Sequence, residues 1–187
     1  MDKREQILVS AVKLFVERGF HGTPTSAITR DAGVSAGILF HYFPTKEHLV
    51  TELLVEIKLE FFGAAFANLH KIKSYEGRLR LLWSNAWKWG TENPVRFKYL
   101  QQADNSTFHD MATRDEEVNA LYQADENFIG EGIRIGFIKN FSTELLLANS
   151  FSLITTMVQF LMNNPEMKND TSFVEQSWES FVDCLKR

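Results

Sequence analysis

The segment from residue 24 to residue 46 restricts the fold more than any other part of this sequence. Thr25 can cap a first short helix by accepting from its free amide groups. Gly33 ends that helix, because glycine enters the left-handed C-terminal conformation at little cost. Ser35 can then cap a second short helix, which Pro44 prevents from continuing. Two short helices joined by a glycine turn form a helix-turn-helix.

The second of these helices has an apolar side and a side suited to a groove in DNA. Leu39 and Phe43, four residues apart, point inward. Small residues on the opposite side let the backbone approach a groove closely, and aromatic and imidazole groups offer contacts to bases and phosphates. The alternative is an ordinary helical hairpin with an aromatic core. The predicted DNA surface of this helix comprises Ser35, Ala36, Gly37, Phe40, His41 and Tyr42.

The run from residue 32 to residue 47 resembles the DNA-binding signature of the tetracycline repressor (TetR) family. Over residues 4–50 the resemblance is carried by a sequence motif. Beyond them it lies only in the helical architecture. It implies an all-α homodimeric transcriptional regulator, usually a repressor that a small molecule releases from a palindromic operator. By position it implies phosphate contacts from Thr25, Ser26 and Lys46, and DNA-facing positions at Ala36, Gly37, Phe40 and Tyr42.

Two positions depart from the family pattern. Position 36 is often longer and polar or basic, and position 40 is usually tyrosine, whereas this chain has Ala36 and Phe40. Both changes remove polar groups that could form hydrogen bonds with bases. We therefore expect contacts with thymine methyl groups, or recognition of DNA shape, to carry more of the specificity.

Composition is that of an ordinary soluble protein of 187 residues with a net charge of −4. Residues 1–46 contain six Lys/Arg and four Asp/Glu, so the predicted DNA-binding end is mildly basic, whereas the rest of the chain is acidic. A single cysteine, Cys184, excludes an internal disulfide framework and fits a reducing cytoplasm. The amino terminus begins an amphipathic helix rather than a signal peptide.

Helical periodicity predicts an all-α protein with two domains. Residues 1–46 form the helix-turn-helix DNA-binding bundle, whose first helix runs from Lys3 to Arg18 behind a capping Asp2. Residues 47–187 form a helical domain for ligand binding and dimerisation. No helix breaker interrupts residues 46–72, which predicts one long helix linking the two domains.

Aromatic residues are concentrated in the middle of the chain. They could form a plain core or line an apolar cavity, and the family resemblance favours a cavity for a small apolar or aromatic effector. The predicted ligand-binding residues are Phe62, Phe66, Trp83, Trp87, Phe97, Tyr122 and Phe128.

The last two helices carry more apolar surface than one core requires. The helix over residues 142–163 is long enough to invite a membrane-spanning interpretation, but six polar residues interrupt it. A helix buried on two faces is the better interpretation, and with the last helix it predicts a four-helix interface in a homodimer. The predicted interface residues are Ser152, Thr155, Gln159, Val174, Trp178, Phe181 and Leu185.

No nucleotide-binding loop or zinc-ligand signature is present in the sequence, so we expect neither catalysis, nor a cofactor, nor a metal site, nor a membrane. The favoured function is a cytoplasmic regulator that binds double-stranded operator DNA and is released by an effector. Two alternatives stay open at this point. The chain could bind DNA without a small-molecule inducer, as an architectural or partner-regulated protein. It could also be a ligand-binding or catalytic helical protein with a vestigial motif.

Overall fold

The computed structural model describes residues 2–104 and 106–187, and these residues form ten α-helices with two short 3₁₀ turns between them. The all-helical fold class is confirmed. The 3₁₀ turns comprise Leu69–Lys71 and Pro165–Asn169. The helices are α1 (Lys3–Arg18), α2 (Thr25–Ala32), α3 (Ala36–Tyr42), α4 (Lys46–Ala65), α5 (Tyr75–Glu92), α6 (Pro94–Asp104), α7 (Phe108–Ala112), α8 (Glu116–Arg134), α9 (Thr143–Asn163) and α10 (Thr171–Leu185).

Two compact units make up the chain. The first comprises Met1–Leu59 and Asn93–Val118, and the second comprises Glu60–Glu92 and Asn119–Arg187. The predicted DNA-binding domain, residues 1–46, lies within the first unit, whereas residues 47–187 contribute to both units. Helices α4 and α8 each begin in the first unit and end in the second. A domain boundary at residue 46 stays a prediction.

Side-chain hydrogen bonds fix both ends of α1. The carboxylate of Asp2 accepts from the backbone N–H of Glu5 at 2.8 Å, as the capping pattern predicts. The buried hydroxyl of Thr23 donates to the carbonyls of Leu14 at 3.1 Å and Gly19 at 2.8 Å. Thr23 therefore attaches the segment that follows α1 to the C-terminal end of that helix.

The turn between α2 and α3 is built from glycine and serine. Gly33 has a φ of 64°, in the left-handed region, and the hydroxyl of Ser35 accepts from the N–H of Ile38 at 3.2 Å. The prediction that Thr25 caps α2 is wrong, because Pro24 occupies the cap position and no side-chain hydrogen bond forms there. Thr25 is instead the first helical residue.

The linking helix is shorter than the sequence predicts. We expected it to continue to residue 72, but α4 ends at Ala65 and Asn68 adopts a left-handed φ of 64°. The side-chain amide of Asn85 donates to the carbonyl of Ala65 at 3.2 Å and to that of Ala67 at 3.1 Å. These bonds satisfy the carbonyl of the last residue of α4 and one just after it. A residue on α5 therefore supports the end of α4.

Residues 104–113 are more ordered than the loop that the sequence predicts. Asp104 is the last residue of α6, and α7 occupies Phe108–Ala112; Asn105, also part of that prediction, lies outside the described residues. The next helix begins at Glu116 rather than near residue 114. The carboxylate of Asp115 accounts for this start, because it accepts from the N–H groups of Glu117 at 3.0 Å and Val118 at 3.1 Å.

The last two helices begin at polar caps. Ser142 accepts from the N–H of Leu145 at 3.3 Å, and Asp170 accepts from the N–H of Phe173 at 3.0 Å. In the described residues one helix, α9, is long and apolar enough to cross a membrane by length and composition, and 28% of that stretch is buried. Its inward side packs on α5 and α10.

Candidate DNA-binding surface and effector cavity

Helix α3 presents its predicted DNA surface to solvent. Phe40 is 46% exposed and Tyr42 is 39% exposed, although large aromatic side chains are normally buried. The four other predicted residues of this helix and its cap are exposed too, namely Ser35, Ala36, Gly37 and His41. The ring of His41 packs edge-on against that of Tyr42, with centroids 5.3 Å apart.

The opposite side of α3 is anchored in the first unit. Leu39 and Phe43 are fully buried, so the exposed side of this short helix cannot rotate without removing them from the core. The guanidinium of Arg4 lies 5.8 Å from the centre of the Phe43 ring. Arg4 also pairs with Glu52 and, at 3.4 Å, with Glu56 of α4. These contacts join α1, the end of α3 and α4 around one guanidinium.

The predicted phosphate contacts lie near the ends of helices. Ser26 is exposed on α2, whereas Thr25 and Lys46 are half-buried. The first turn of a helix suits an anion, because its backbone N–H groups are free and the helix dipole is positive there. Sequence reasoning passed over Arg30, which is exposed in the last turn of α2. By contrast, Lys13 is paired with Asp31 at 3.1 Å.

The second unit contains an apolar cavity. Its cavity volume is about 60 Å³, and the wider empty space of about 550 Å³ around it includes open solvent. Helices α4, α5, α8, α9 and α10 contribute to its walls. The lining residues are Phe61, Phe62, Ala65, Phe66, Leu79, Leu82, Ala86, Asp125, Phe128, Ile129, Leu147, Ser150, Phe151, Ile154 and Phe181.

Three of the seven predicted ligand-binding residues, Phe62, Phe66 and Phe128, line this cavity. Tyr122 lies behind Phe62, with ring centroids 5.5 Å apart. Phe97 is fully buried in the first unit. Ligand contact by the three lining residues stays a prediction.

The tryptophans predicted for the ligand site belong to an adjoining aromatic cluster, which shares Phe181 with the cavity wall. The ring centroid of Trp83 lies 6.1 Å from that of Trp87, 5.6 Å from that of Trp178 and 6.2 Å from that of Phe181. Neither Trp83 nor Trp87 lines the cavity: Trp83 packs between α5 and α10, and Trp87 lies next to it on α5.

Asp125 is the charged lining residue that sequence reasoning missed. It lies on α8 three residues after Tyr122 and three before Phe128, so helical spacing places it on the same apolar side. Burial, with a smaller contribution from the charge of Glu126, raises the pKa of Asp125 to about 6. The sequence therefore contained a signal for Asp125, because an acidic residue at an inward position of an amphipathic helix is unusual.

Two charged side chains near Phe128, those of Arg78 and Glu131, pair with each other. The guanidinium of Arg78 pairs with Glu131, and hydrogen bonding to Arg78 lowers the pKa of Glu131. Arg78 also lies 5.5 Å from the ring centre of Tyr75 and 5.7 Å from that of Phe128. Tyr75, whose hydroxyl donates to the carbonyl of Phe128 at 3.0 Å, has its pKa raised by burial. Arg78 is therefore committed to Glu131.

The part of the chain that contains the exposed side of α3 and the part that supplies most of the cavity wall each match a known protein family. Residues 7–53 match the family described as "Bacterial regulatory proteins, tetR family", and residues 75–182 match "Tetracyclin repressor-like, C-terminal domain". The chain belongs to the TetR family. The family assignment made from residues 32–47 is thereby confirmed.

Relatives of this TetR-family chain are transcription regulators. A TetR-family transcription regulator from Shewanella sp. PV-4 is 28% identical and has a TM-score of 0.91, with 100% of each chain covered. An HTH-type transcriptional regulator of Haemophilus influenzae is 24% identical over 104 residues, which are 56% of each protein. The matched segment thus spans about half the length of this curated relative.

One solved structure of the same fold contains a ligand. The transcriptional regulator FadR from Bacillus subtilis, in complex with stearoyl-CoA, has a TM-score of 0.75 at 20% identity, with 95% of this chain and 97% of that chain covered. At this identity the comparison shows a shared fold. Regulators of the TetR family bind DNA operators and small-molecule effectors and act as dimers.

The residues predicted for a dimer interface divide into two groups. Ser152 and Gln159 are exposed on α9, and Thr155 and Val174 are half-buried. In contrast, three residues of α10 are buried within one chain, because they pack on its own helices: Trp178, Phe181 and Leu185. These three side chains have little surface left for a partner.

Proposed function

We propose that this TetR-family chain is a sequence-specific DNA-binding repressor whose operator affinity falls when a small apolar molecule occupies the cavity. The observation that carries this proposal is the course of α4. Its first residue is Lys46, and its last turns supply Phe61, Phe62 and Ala65 to the cavity wall. About 22 Å of continuous helix separates Lys46 from Phe61 along the axis. A displacement of the last turns is therefore transmitted to the first.

The proposed DNA contacts are those of the exposed side of α3 together with the starts of α2 and α4. Ala36 and Gly37 allow the backbone to approach the major groove, while Phe40 and Tyr42 supply apolar contact. Two recognition helices of a homodimer, about 34–36 Å apart, would enter successive major grooves of a palindromic operator. An effector that changes this spacing weakens binding.

The proposed homodimer uses the outward side of α9. Leu145 is 50% exposed and Phe160 is 42% exposed on this helix, and Ser152 and Gln159 lie between them. An apolar helix with so much accessible surface is stabilised by packing against its counterpart in a second copy. Because the α10 residues named above are buried, we assign the interface chiefly to α9. A DNA-bound regulator of this kind works in the cytoplasm.

The experiment that tests this function is a footprint of the purified protein on DNA upstream of its own gene. We expect protection of a two-fold symmetric site, with affinity that falls steeply as salt rises. For a hundredfold loss of operator affinity, an effector must bind the released state about 2.7 kcal/mol more tightly than the DNA-bound state. A protein that gives no salt-sensitive complex with any such DNA would refute the proposal.

A further inference from the structure

The cavity has one charged wall residue. Among its described lining residues Asp125 carries the only ionisable side chain, and Ser150 is the only other one with a polar side chain. All the remaining described lining residues are apolar, and six of them are phenylalanines. A carboxylate in such surroundings is costly unless an opposite charge or a hydrogen-bond donor reaches it.

Within the described part of the chain, no hydrogen-bond donor or cation pairs with the Asp125 carboxylate. Arg78, the cation that lies over the rings of Tyr75 and Phe128, is paired with Glu131. The other groups that interact with Asp125 are Glu126, the next residue on α8, and the hydroxyl of Tyr75. Glu126 repels a second negative charge, so the described residues leave the charge of Asp125 without a counter-charge.

Aromatic rings surround the space beside this carboxylate. The ring of Phe62 lies 5.5 Å from that of Phe61 and 6.4 Å from that of Phe66, and Phe66 lies 6.2 Å from Phe128. Faces of aromatic rings attract organic cations, most strongly where water is excluded. The cavity therefore combines rings for an apolar cation with one negative charge to fix its position.

We propose that the effector of this cavity is an amphiphilic organic cation, with its ammonium group at Asp125 and its apolar body among the phenylalanines. This inference rests on the function proposed above, because it names the chemical class of that effector. An anionic head group would face the repulsion of Asp125 and Glu126. A neutral amphiphile would leave the carboxylate without a counter-charge.

A matched series of ligands with a ten-carbon chain tests the proposal. Decyltrimethylammonium, 1-decanol and decanoate differ only in the head group, and the first keeps its charge at every pH. Isothermal titration calorimetry would be carried out on the full-length protein at pH 7.5, below the micellar concentration of each ligand. We expect the cation to bind at least about tenfold more tightly than the alcohol or the carboxylate.

Two variants identify the source of the preference. Asp125→Asn retains the size of the side chain and removes its charge, and we expect it to abolish the preference for the cation over 1-decanol and decanoate. Glu126→Gln changes the net charge equally at an exposed neighbouring position, and we expect it to keep the preference. Thermal unfolding of each variant without ligand checks that both fold.

Several results would overturn the proposal: no binding of decyltrimethylammonium, equal binding of the three ligands, or a preference that survives Asp125→Asn. Tight binding of decanoate or 1-decanol would leave an effector cavity but not a cationic effector. The footprint on operator DNA is independent of these titrations. Failure of the cation preference and failure of the regulator function are therefore distinguishable.

Discussion

The Nζ atom of Lys58 lies 2.6 Å from Oδ1 of Asp104, and the lysine side chain is 2% exposed. The Nδ1 atom of His109 lies 3.1 Å from the same carboxylate oxygen. A buried ammonium requires its counter-charge, because removing one partner of such a pair leaves an uncompensated charge in the core. We expect Asp104→Asn to lower the free energy of unfolding by about 3 kcal/mol, measured by urea denaturation.

The control for this prediction is the double variant Lys58→Met with Asp104→Asn. It removes both charges and retains a side chain of similar length, so it should recover most of the stability that Asp104→Asn loses. If the double variant is as unstable as Asp104→Asn, the loss does not come from an unpaired ammonium.

Asn85 supports the end of α4 through two backbone carbonyls. Asn85→Ala leaves the carbonyls of Ala65 and Ala67 without these donors, and we expect it to lower stability by about 1–2 kcal/mol. Asn85→Asp has the same shape but cannot donate, so it should lose at least as much. Thermal unfolding measures both changes. Wild-type stability of Asn85→Asp would show that the two hydrogen bonds do not support the helix end.

Tyr42 and Lys46 lie at the two positions where we assign DNA contacts on adjacent helices. Tyr42→Ala and Lys46→Ala should each weaken operator binding by about 1 kcal/mol or more, without unfolding the protein. Lys46→Ala should also reduce the slope of log affinity against log salt by about one per protomer, because one phosphate contact is lost. Titrations at four salt concentrations measure both effects. Unchanged affinity in both variants would remove the contact assignment.

A substitution at Gly37 can test DNA recognition separately from folding. A Cβ atom at this position would meet only the hydroxyl of Ser35, at 3.8 Å, so a larger side chain fits the free protein. We expect Gly37→Leu to fold with at least wild-type stability, because leucine favours a helix more than glycine does. Its operator affinity should fall at least about tenfold if the backbone of α3 lies against the groove floor. Wild-type operator affinity would contradict that close approach.

The raised pKa of Asp125 predicts how stability depends on pH. Between its ordinary value of 3.8 and about 6, the folded chain retains a proton that the unfolded chain has lost. Asp125 thus makes its full contribution to stability below pH 3.8, and loses roughly 2–3 kcal/mol of it as pH rises through 6.

Comparison with Asp125→Asn isolates this effect. Glu131, whose pKa is lowered by hydrogen bonding to Arg78, changes stability in the opposite direction, but it does so in both proteins. We expect the variant to gain stability relative to the wild type as pH rises from 4 to 7, as measured by urea denaturation. A constant difference across this range would show that Asp125 is not an inward, desolvated carboxyl.

The helices of the DNA-binding bundle could be predicted closely because their ends depend on nearby residues. Asp2 caps α1 three residues ahead of its hydrogen-bond donor, and Gly33 and Ser35 end and begin successive helices within three positions. The exposed side of α3 followed from the spacing of Leu39 and Phe43 alone. Such signals operate over one or two turns and are therefore visible in a sequence.

Distant contacts account for the errors. The end of α4 depends on Asn85, twenty residues along the chain. Trp178 packs on Trp83 within one chain, and its place in a dimer interface stays a prediction. Helical spacing identified Trp178 and Phe181 as inward residues, but the same spacing serves a core and an interface equally. It likewise could not tell which phenylalanines surround empty space.

By itself, the sequence determined the helical class, the order of the motif helices and the side of α3 that faces solvent, because capping and helical periodicity are local properties. Only the tertiary structure decided which aromatic residues line a cavity, where α4 stops, and that no cation of residues 2–104 and 106–187 pairs with Asp125. These properties depend on side chains brought together from helices far apart in the chain, where packing and burial set the energy.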